Sequence, residues 1–104
     1  MTKDELTTWA LAHGWTMQDG MPSLLKPARP GSTAKPEAVI RLVMKATVVH
    51  LEAKKPAGKW EKFTGAAYGD VTPTDDGMPV GLKLETIPAI RQLMQENRDR
   101  QVFG

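Results

Sequence analysis

The chain has 104 residues, 40% apolar and 25% charged, a balance typical of a single folded domain over residues 1–104 and unlike that of a disordered chain. It contains no cysteine, which excludes disulfides, thiolate metal sites and thiol nucleophiles. The formal charge is only +2, and the sequence shows neither a signal-peptide pattern nor a membrane-spanning apolar run, so we expect a cytoplasmic protein without membrane attachment.

The N-terminal segment has the pattern of a short amphipathic helix. Thr2 and Glu5 occupy the positions of a capping box, in which each side chain satisfies a backbone N–H of the first turn. Gly14 supplies a stop signal. The residues that recur at helical spacing are Leu6, Trp9, Ala10 and His13. The pattern therefore predicts a helix with one buried stripe in the first fourteen residues.

Two short extended segments follow, 15–18 and 21–26. They bracket Asp19-Gly20, a dipeptide typical of a two-residue hairpin turn. Residues 27–36 contain three prolines, and their composition predicts a loop. The sequence thus predicts a small hairpin separated from the rest of the sheet by an irregular connection.

Residues 39–53 give the strongest strand signal, because they are rich in β-branched side chains. Alternation predicts one apolar face formed by Ile40, Leu42, Met44, Ala46 and Val48. Since this segment is long for one strand, we expect a bend, bulge or break near 45–47. A turn at 54–58 and a returning strand at 59–64 should complete a hairpin, with Trp60 and Lys62 on the same face.

The C-terminal third begins with an irregular, glycine- and proline-rich connection, residues 65–81. Residues 81–85 predict a last short strand with Leu82 and Leu84 pointing inward. Thr86 is expected to cap a C-terminal helix, with Pro88 in its first turn. The buried stripe of that helix is predicted to contain Ile87, Ile90, Leu93, Met94 and Asn97.

These elements predict an α+β fold, in which a mainly antiparallel sheet of three to five strands is flanked by an N-terminal and a C-terminal helix. The two helices should cover one face of the sheet. The residues predicted to form the core are Trp9, Trp15, Ile40, Leu42, Met44, Val48, Phe63, Leu84, Ile90 and Leu93.

The charge is concentrated in the middle of the chain, since residues 26–62 hold nine basic groups and three acids, a net charge of +6. A candidate nucleic-acid site in this segment consists of Lys54, Lys55, Lys59, Trp60 and Lys62. Lysines on a β-ribbon neutralise phosphates, and an indole stacks on a base. The alternative is that the lysines are solvated strand positions and that Trp60 is a packing residue.

A second candidate site comes from an internal echo, D-G-M-P-x-x-L-K, which begins at Asp19 and again at Asp76. Two such turns could present Met21 and Met78 to a partner protein, because the flexible thioether adapts to varied shapes. The alternative is a pair of similar turns with methionine in the core. Nothing around the two segments repeats, so the echo does not indicate a duplicated domain.

Residues suited to catalysis or metal binding are few. His50 and Glu52 share a strand face and can pair, but they supply too few ligands for a metal. His13 has a structural explanation at a helix end. The acids Asp70, Asp75 and Asp76 lack the spacing of a calcium loop. The chain also lacks a glycine-rich phosphate-binding signature, so we expect no cofactor.

The sequence therefore favours a small intracellular, non-enzymatic interaction or adaptor module that works through a protein partner or self-association. The alternative is a nucleic-acid-binding protein that uses the basic ribbon from Lys54 to Lys62. An enzyme is the least favoured class, since it would require His50 or the acids of segment 70–76 to converge in a pocket.

Overall fold

The computed structural model describes residues 1–26, 31, 36–74 and 77–103, without the side chains of residues 102 and 103. This part of the chain forms α1 (Lys3–Ala12), β1 (Thr16–Gln18), β2 (Met21–Leu25), β3 (Ala38–Met44), β4 (Val48–Lys54), β5 (Trp60–Ala67) and α2 (Ile90–Phe103). The strands pair antiparallel in the order β1-β2-β3-β4-β5. The fold is α+β, as the sequence predicts. Most of the predicted loop 27–36 lies outside the described residues.

The start and end of α1 are set by the residues that the sequence indicates. Thr2 Oγ1 accepts a hydrogen bond from the N–H of Glu5 at 3.1 Å, and Glu5 Oε1 accepts one from the N–H of Thr2 at 2.9 Å. The hydrogen bonds from the backbone and hydroxyl of Thr2 lower the pKa of Glu5. Gly14 follows the helix with φ +96°, and a Cβ there would lie 2.6 Å from the carbonyl oxygen of Met94. Glycine is required at this contact with α2.

The predicted long strand is in fact two strands. The chain reverses at 45–47, and the N–H of Lys45 donates to the carbonyl of Val48 at 2.8 Å to close the turn. The break is where the sequence predicts one, but a reversal changes which residues face the core. Val49 and Leu51 are fully buried, whereas Val48 is 40% exposed. The prediction of Val48 as a core residue is therefore wrong.

Phe63 is displaced from the core by a β-bulge. The register between β4 and β5 shifts, so that Leu51 pairs with Thr64 while Glu52 pairs with Lys62. Phe63 is the extra residue on β5 and is 46% exposed. Because an extra residue interrupts the period-two alternation, a face assignment made from sequence fails at this position. The prediction of Phe63 in the core is wrong.

The connection before α2 also departs from the expected strand. Segment 81–85 has left-handed backbone at Gly81 and Lys83, with φ +109° and +55°, and extended pairing cannot continue through such residues. A short 3₁₀ turn, Leu84–Thr86, takes the place of the strand. Leu82 and Leu84 are nevertheless fully buried, as the alternation predicts.

α2 begins later than predicted. The hydroxyl of Thr86 donates to the carbonyl of Lys83 at 2.6 Å, and Ala89 has φ +57°, so the helix starts only at Ile90. The prediction of Thr86 as the helix cap is therefore wrong. The buried stripe is confirmed for Ile90, Met94 and Asn97, which are each less than a tenth exposed, and Leu93 is half-buried. Ile87 is also buried, but it lies before the helix.

Both helices and the connection that precedes α2 pack on one face of the sheet, here called the covered face. Its sheet residues are Leu24, Ile40, Leu42, Val49 and Leu51. The predicted core residues that are buried are Trp15, Ile40, Leu42, Leu84 and Ile90. Those that are half-buried against this core are Trp9, Met44 and Leu93. The opposite side of the sheet carries the side chains that alternate with these residues.

Candidate binding surface

The side of the sheet that faces away from the core, here called the open face, carries a mixed set of side chains. Residues directly opposite one another on antiparallel strands share a face, and the register of the five strands therefore defines this set. It contains Ser23, Arg41, Val43, Val48, His50, Glu52, Lys54, Trp60 and Lys62. Charged, aromatic and aliphatic groups are thus presented together on one rigid surface.

A charged network lies at the centre of the open face, on neighbouring strands β3 and β4. Arg41 donates from Nε and Nη2 to Oε1 of Glu52, each at 2.7 Å. His50 Nε2 lies 3.1 Å from the other carboxylate oxygen. The three side chains are only 12–23% exposed, although no helix lies over them within the described residues. These hydrogen bonds hold the three side chains against one another.

The environment of Glu52 keeps its carboxylate ionised. Burial raises the pKa of Glu52, but the hydrogen bonds from Arg41 and His50 and the positive charge of Arg41 act in the opposite direction and prevail, so that this pKa is lowered. At neutral pH the carboxylate holds both partners in fixed positions. The predicted pairing of His50 with Glu52 is confirmed.

Trp60 is the aromatic centre of the open face. The guanidinium carbon of Arg41 lies 3.9 Å from the centroid of its ring, a cation–π contact. Glu52 fixes the guanidinium, and the guanidinium in turn supports the indole. A depression of about 280 Å³ lies beside this pair, and Met21 and Lys54 also border it. The depression therefore combines a thioether and an indole with two cations and with two acids, Asp19 and Glu37.

The five residues of the predicted nucleic-acid site do not all lie together. Lys54, Trp60 and Lys62 are on the open face, while Lys55 and Lys59 lie where the chain turns between β4 and β5. Lys54 pairs with Glu37 and Lys55 pairs with Glu61, each at 3.5 Å. Within the described residues, Lys59 and Lys62 are exposed and make no ion pair. Two of the four lysines are thus already matched by acids.

The two methionines of the predicted partner site are in different places. Met21 is half-buried and borders the depression on the open face. Met78 is 5% exposed, belongs to the core and lines a separate cleft beside α2. This position fits the interpretation of Met78 as a packing residue. Partner binding by Met21 stays a prediction, and Asp76, which begins the second repeat, lies outside the described residues.

Arg41 is the residue of this surface that the sequence did not identify as a candidate. Its alternation with Ile40 and Leu42 places it on the polar side of a strand, which is an ordinary position for arginine. Its role depends on the register of β3 against β4 and on the reach of Trp60 from β5. The register of these strands can be assigned only when the positions of the turns at 45–47 and 55–59 are known.

The acidic candidates give no metal site in the described part of the chain. Asp75 and Asp76 lie outside it, and the described residues contain no group of three or more His, Asp or Glu side chains that could hold a metal ion. In the same residues, no helix has the length and apolar character needed to cross a membrane.

Comparisons with family models, curated proteins and solved structures find no match. Arguments about function therefore depend on the surface itself.

Proposed function

We propose that this protein is a non-enzymatic protein-interaction module whose binding surface is the open face. One observation carries the proposal: Arg41 is fixed between the carboxylate of Glu52 and the indole of Trp60 at the centre of that surface. Tryptophan and arginine are the residues most enriched at the energetic centres of protein interfaces. Here the two are in contact with each other and set on a sheet rather than on loops.

The arrangement favours binding because its central side chains are already ordered. A free arginine or tryptophan loses rotamer entropy on binding, roughly 0.5–1.5 kcal/mol for a rotamer-rich side chain. Arg41 has much of this freedom removed by its two contacts at 2.7 Å with Glu52. Val48, 40% exposed, and the half-buried Met21 add apolar area at the margin. Adaptable apolar groups around a rigid centre suit a protein partner.

A second copy of this chain is the partner that the charges of this surface suit best. The surface and its edge carry both signs, and most of these charges are matched within the chain, since Glu37 pairs with Lys54 and Glu52 pairs with Arg41. In a twofold symmetric contact the same patch meets itself, and a patch whose charges nearly balance does so with little repulsion. A strongly single-signed patch would instead repel itself.

Single-stranded nucleic acid is the second candidate ligand, and it is supported by Trp60 with Lys59 and Lys62 nearby, which make no ion pair with the described residues. An indole can stack on a base while lysines contact phosphates. The ion pairs of Lys54 with Glu37 and of Lys55 with Glu61 count against it, because they reduce the positive charge available to phosphates. This candidate predicts an affinity that falls steeply with salt.

Site-specific photo-crosslinking tests the proposal in the cells that make the protein. A photoreactive amino acid replaces Val48 on the open face, and a matched variant carries it in place of Leu11, which is 45% exposed on α1. We expect adducts from position 48 and few from position 11. Adding Trp60→Ala to the position-48 variant should reduce them severalfold, since truncating an interface centre costs about 2 kcal/mol or more.

The adducts also identify the partner. Adducts of twice the mass of the chain support a second copy, and light scattering on the purified protein should then give a concentration-dependent mass that Trp60→Ala lowers. Adducts with another protein support a heterologous partner. Adducts that contain nucleic acid favour the second candidate. Equal yields from both positions, or no adduct from position 48, would contradict the proposal.

A further inference from the structure

A cleft of about 250 Å³ lies far from the open face, between the end of α1, the backbone at Gly77 and one side of α2. Its polar lining consists of His13, Arg91, Gln95 and Arg98. Two methionines, Met78 and Met94, also line it. The cleft thus collects two guanidinium groups and an imidazole around a volume that suits a small ligand.

The contact of Gly14 with α2 brings the two sides of the cleft together. A Cβ on Gly14 would lie 2.8 Å from Cγ of Arg98 and 3.2 Å from its backbone nitrogen. The stem of Arg98 therefore passes directly against the residue that follows His13. Because a side chain at position 14 would push these elements apart, the juxtaposition of His13 and Arg98 is built into the packing of α1 against α2.

His13 is held so that one ring nitrogen stays available to the cleft. Its Nδ1 lies 2.7 Å from the carbonyl oxygen of Trp9, which can only accept, so the proton of the neutral ring is on Nδ1. The ring also stacks on the indole of Trp9, with centroids 5.0 Å apart. A Cβ on Gly77 would lie 3.4 Å from Nε2. Within the described residues, Nε2 has no hydrogen-bond partner.

The charges around the cleft favour an anion. Arg98 makes no ion pair with the described residues. Arg91 precedes Arg98 by seven residues and therefore lies on the same side of α2, about two turns away. It belongs to the first turn of α2, where the helix dipole favours a negatively charged ligand. Arg91 also borders a neighbouring depression with Glu85, so we place it at the rim. Arg98, which is exposed, and the half-buried His13 line the cleft where the end of α1 meets α2.

We propose that this cleft binds a phosphoryl group, carried by free phosphate or by a small phosphomonoester. A planar guanidinium fits two phosphate oxygens at once, and a phosphoryl group that keeps one proton can donate its P–O–H to Nε2 of the imidazole. An ionised carboxylate has no proton to donate to Nε2 of His13, so it can engage only the guanidinium on α2. Met78 and Met94 provide apolar contacts for the organic part of an ester. The proposal does not depend on the function of the open face.

Titration of the full chain with inorganic phosphate, followed by NMR, is the direct test. We expect saturable shifts of the ring signals of His13 and of the side-chain Nε–H of Arg98. Phenyl phosphate binding more tightly than phosphate would assign an ester as the ligand, and equal or weaker binding would assign free phosphate. Acetate binding as tightly as phosphate would overturn the proposal, as would non-saturable shifts spread over the lysines of the β4–β5 hairpin.

Substitutions test which groups hold the anion. Arg98→Met keeps the stem that packs on Gly14 and removes the charge, so phosphate affinity should fall tenfold or more. His13→Gln should weaken binding severalfold. Lys3→Met, at the opposite end of α1, removes the same charge at an exposed position and should leave the affinity unchanged. If Arg98→Met lowers the melting temperature, the phosphate affinity of His13→Gln alone tests the proposal. Equal losses for Lys3→Met and the cleft variants would overturn the proposal.

Discussion

The two faces of the central sheet are made by alternate residues of the same strands, yet they differ in almost every property. On β4, Val49 and Leu51 are fully buried under the helices, while the intervening His50 joins a charged network on the other side. The covered face stabilises the fold through apolar burial. The open face holds ordered charges that pair with one another and pack against the indole of Trp60. Stability and the proposed binding function therefore belong to alternate residues of the same strands.

The largest effect on the free energy of unfolding should come from shortening a buried side chain of the covered face. Leu51→Ala removes a fully buried side chain, and we expect the free energy of unfolding to fall by about 2–5 kcal/mol. Urea denaturation followed by circular dichroism measures the change. A loss below ~1 kcal/mol would mean that the covered face contributes less than its burial implies.

The second-largest effect on the free energy of unfolding should come from removing a polar contact between α2 and β2. Asn97 is 3% exposed; its Oδ1 accepts from the N–H of Leu25 at 2.9 Å, and its Nδ2 donates to the carbonyl of Leu25 at 3.0 Å. Asn97→Ala leaves both backbone groups unsatisfied, and we expect a loss of about 1–3 kcal/mol. Gln92→Ala, at an exposed position of the same helix, is the control and should cost less than ~0.5 kcal/mol.

The open face should contribute a smaller, pH-dependent amount. Glu52→Gln weakens the contacts to Arg41 and His50, and we expect a loss of about 1–2 kcal/mol at neutral pH. Since folding lowers the pKa of Glu52, its contribution is fully present above the ordinary glutamate pKa of about 4.3 and disappears as the pH falls through the folded value. Urea denaturation at several pH values should show the two proteins converging in acid. A constant difference down to pH ~3 would contradict this assignment.

The smallest effect should come from a residue that the sequence places in the core. Val48→Thr removes little buried apolar area because Val48 is 40% exposed, so the free energy of unfolding should change by less than ~0.5 kcal/mol. The same denaturation measurement serves as a control for Leu51→Ala. A loss above ~1.5 kcal/mol would show that Val48 is packed by a partner or by part of the chain outside the described residues.

The sequence was most informative where one local signal decides the structure. The capping box at Thr2, the stop at Gly14 and the turn at Asp19-Gly20 each depend on a few adjacent residues, and each is observed. Face assignment failed where the period-two alternation was interrupted. A reversal turned Val48 outward, and a bulge did the same for Phe63.

The centre of the open face could be predicted only in part. Trp60, Lys54 and Lys62 were candidates from composition, and the pair of His50 with Glu52 follows from alternation. Arg41 joins them because β3 and β4 pair in one particular register, a property of two segments rather than of one. Sequence reasoning also could not foresee that Lys54 and Lys55 would each meet an acid, since Glu37 and Glu61 are brought near by the hairpins.

The contact between Gly14, which follows α1, and Gln101, near the end of α2, affects how the protein folds. Each strand pairs with its sequence neighbour, so the meander can assemble by short-range closures. The hydrogen bond from Gln101 to the carbonyl of Gly14 instead spans 87 residues. Closing so distant a pair has a large entropic cost unless the sheet already holds the ends near each other. Substitutions that remove the contact between Gln101 and Gly14 should therefore speed unfolding while leaving the folding rate almost unchanged.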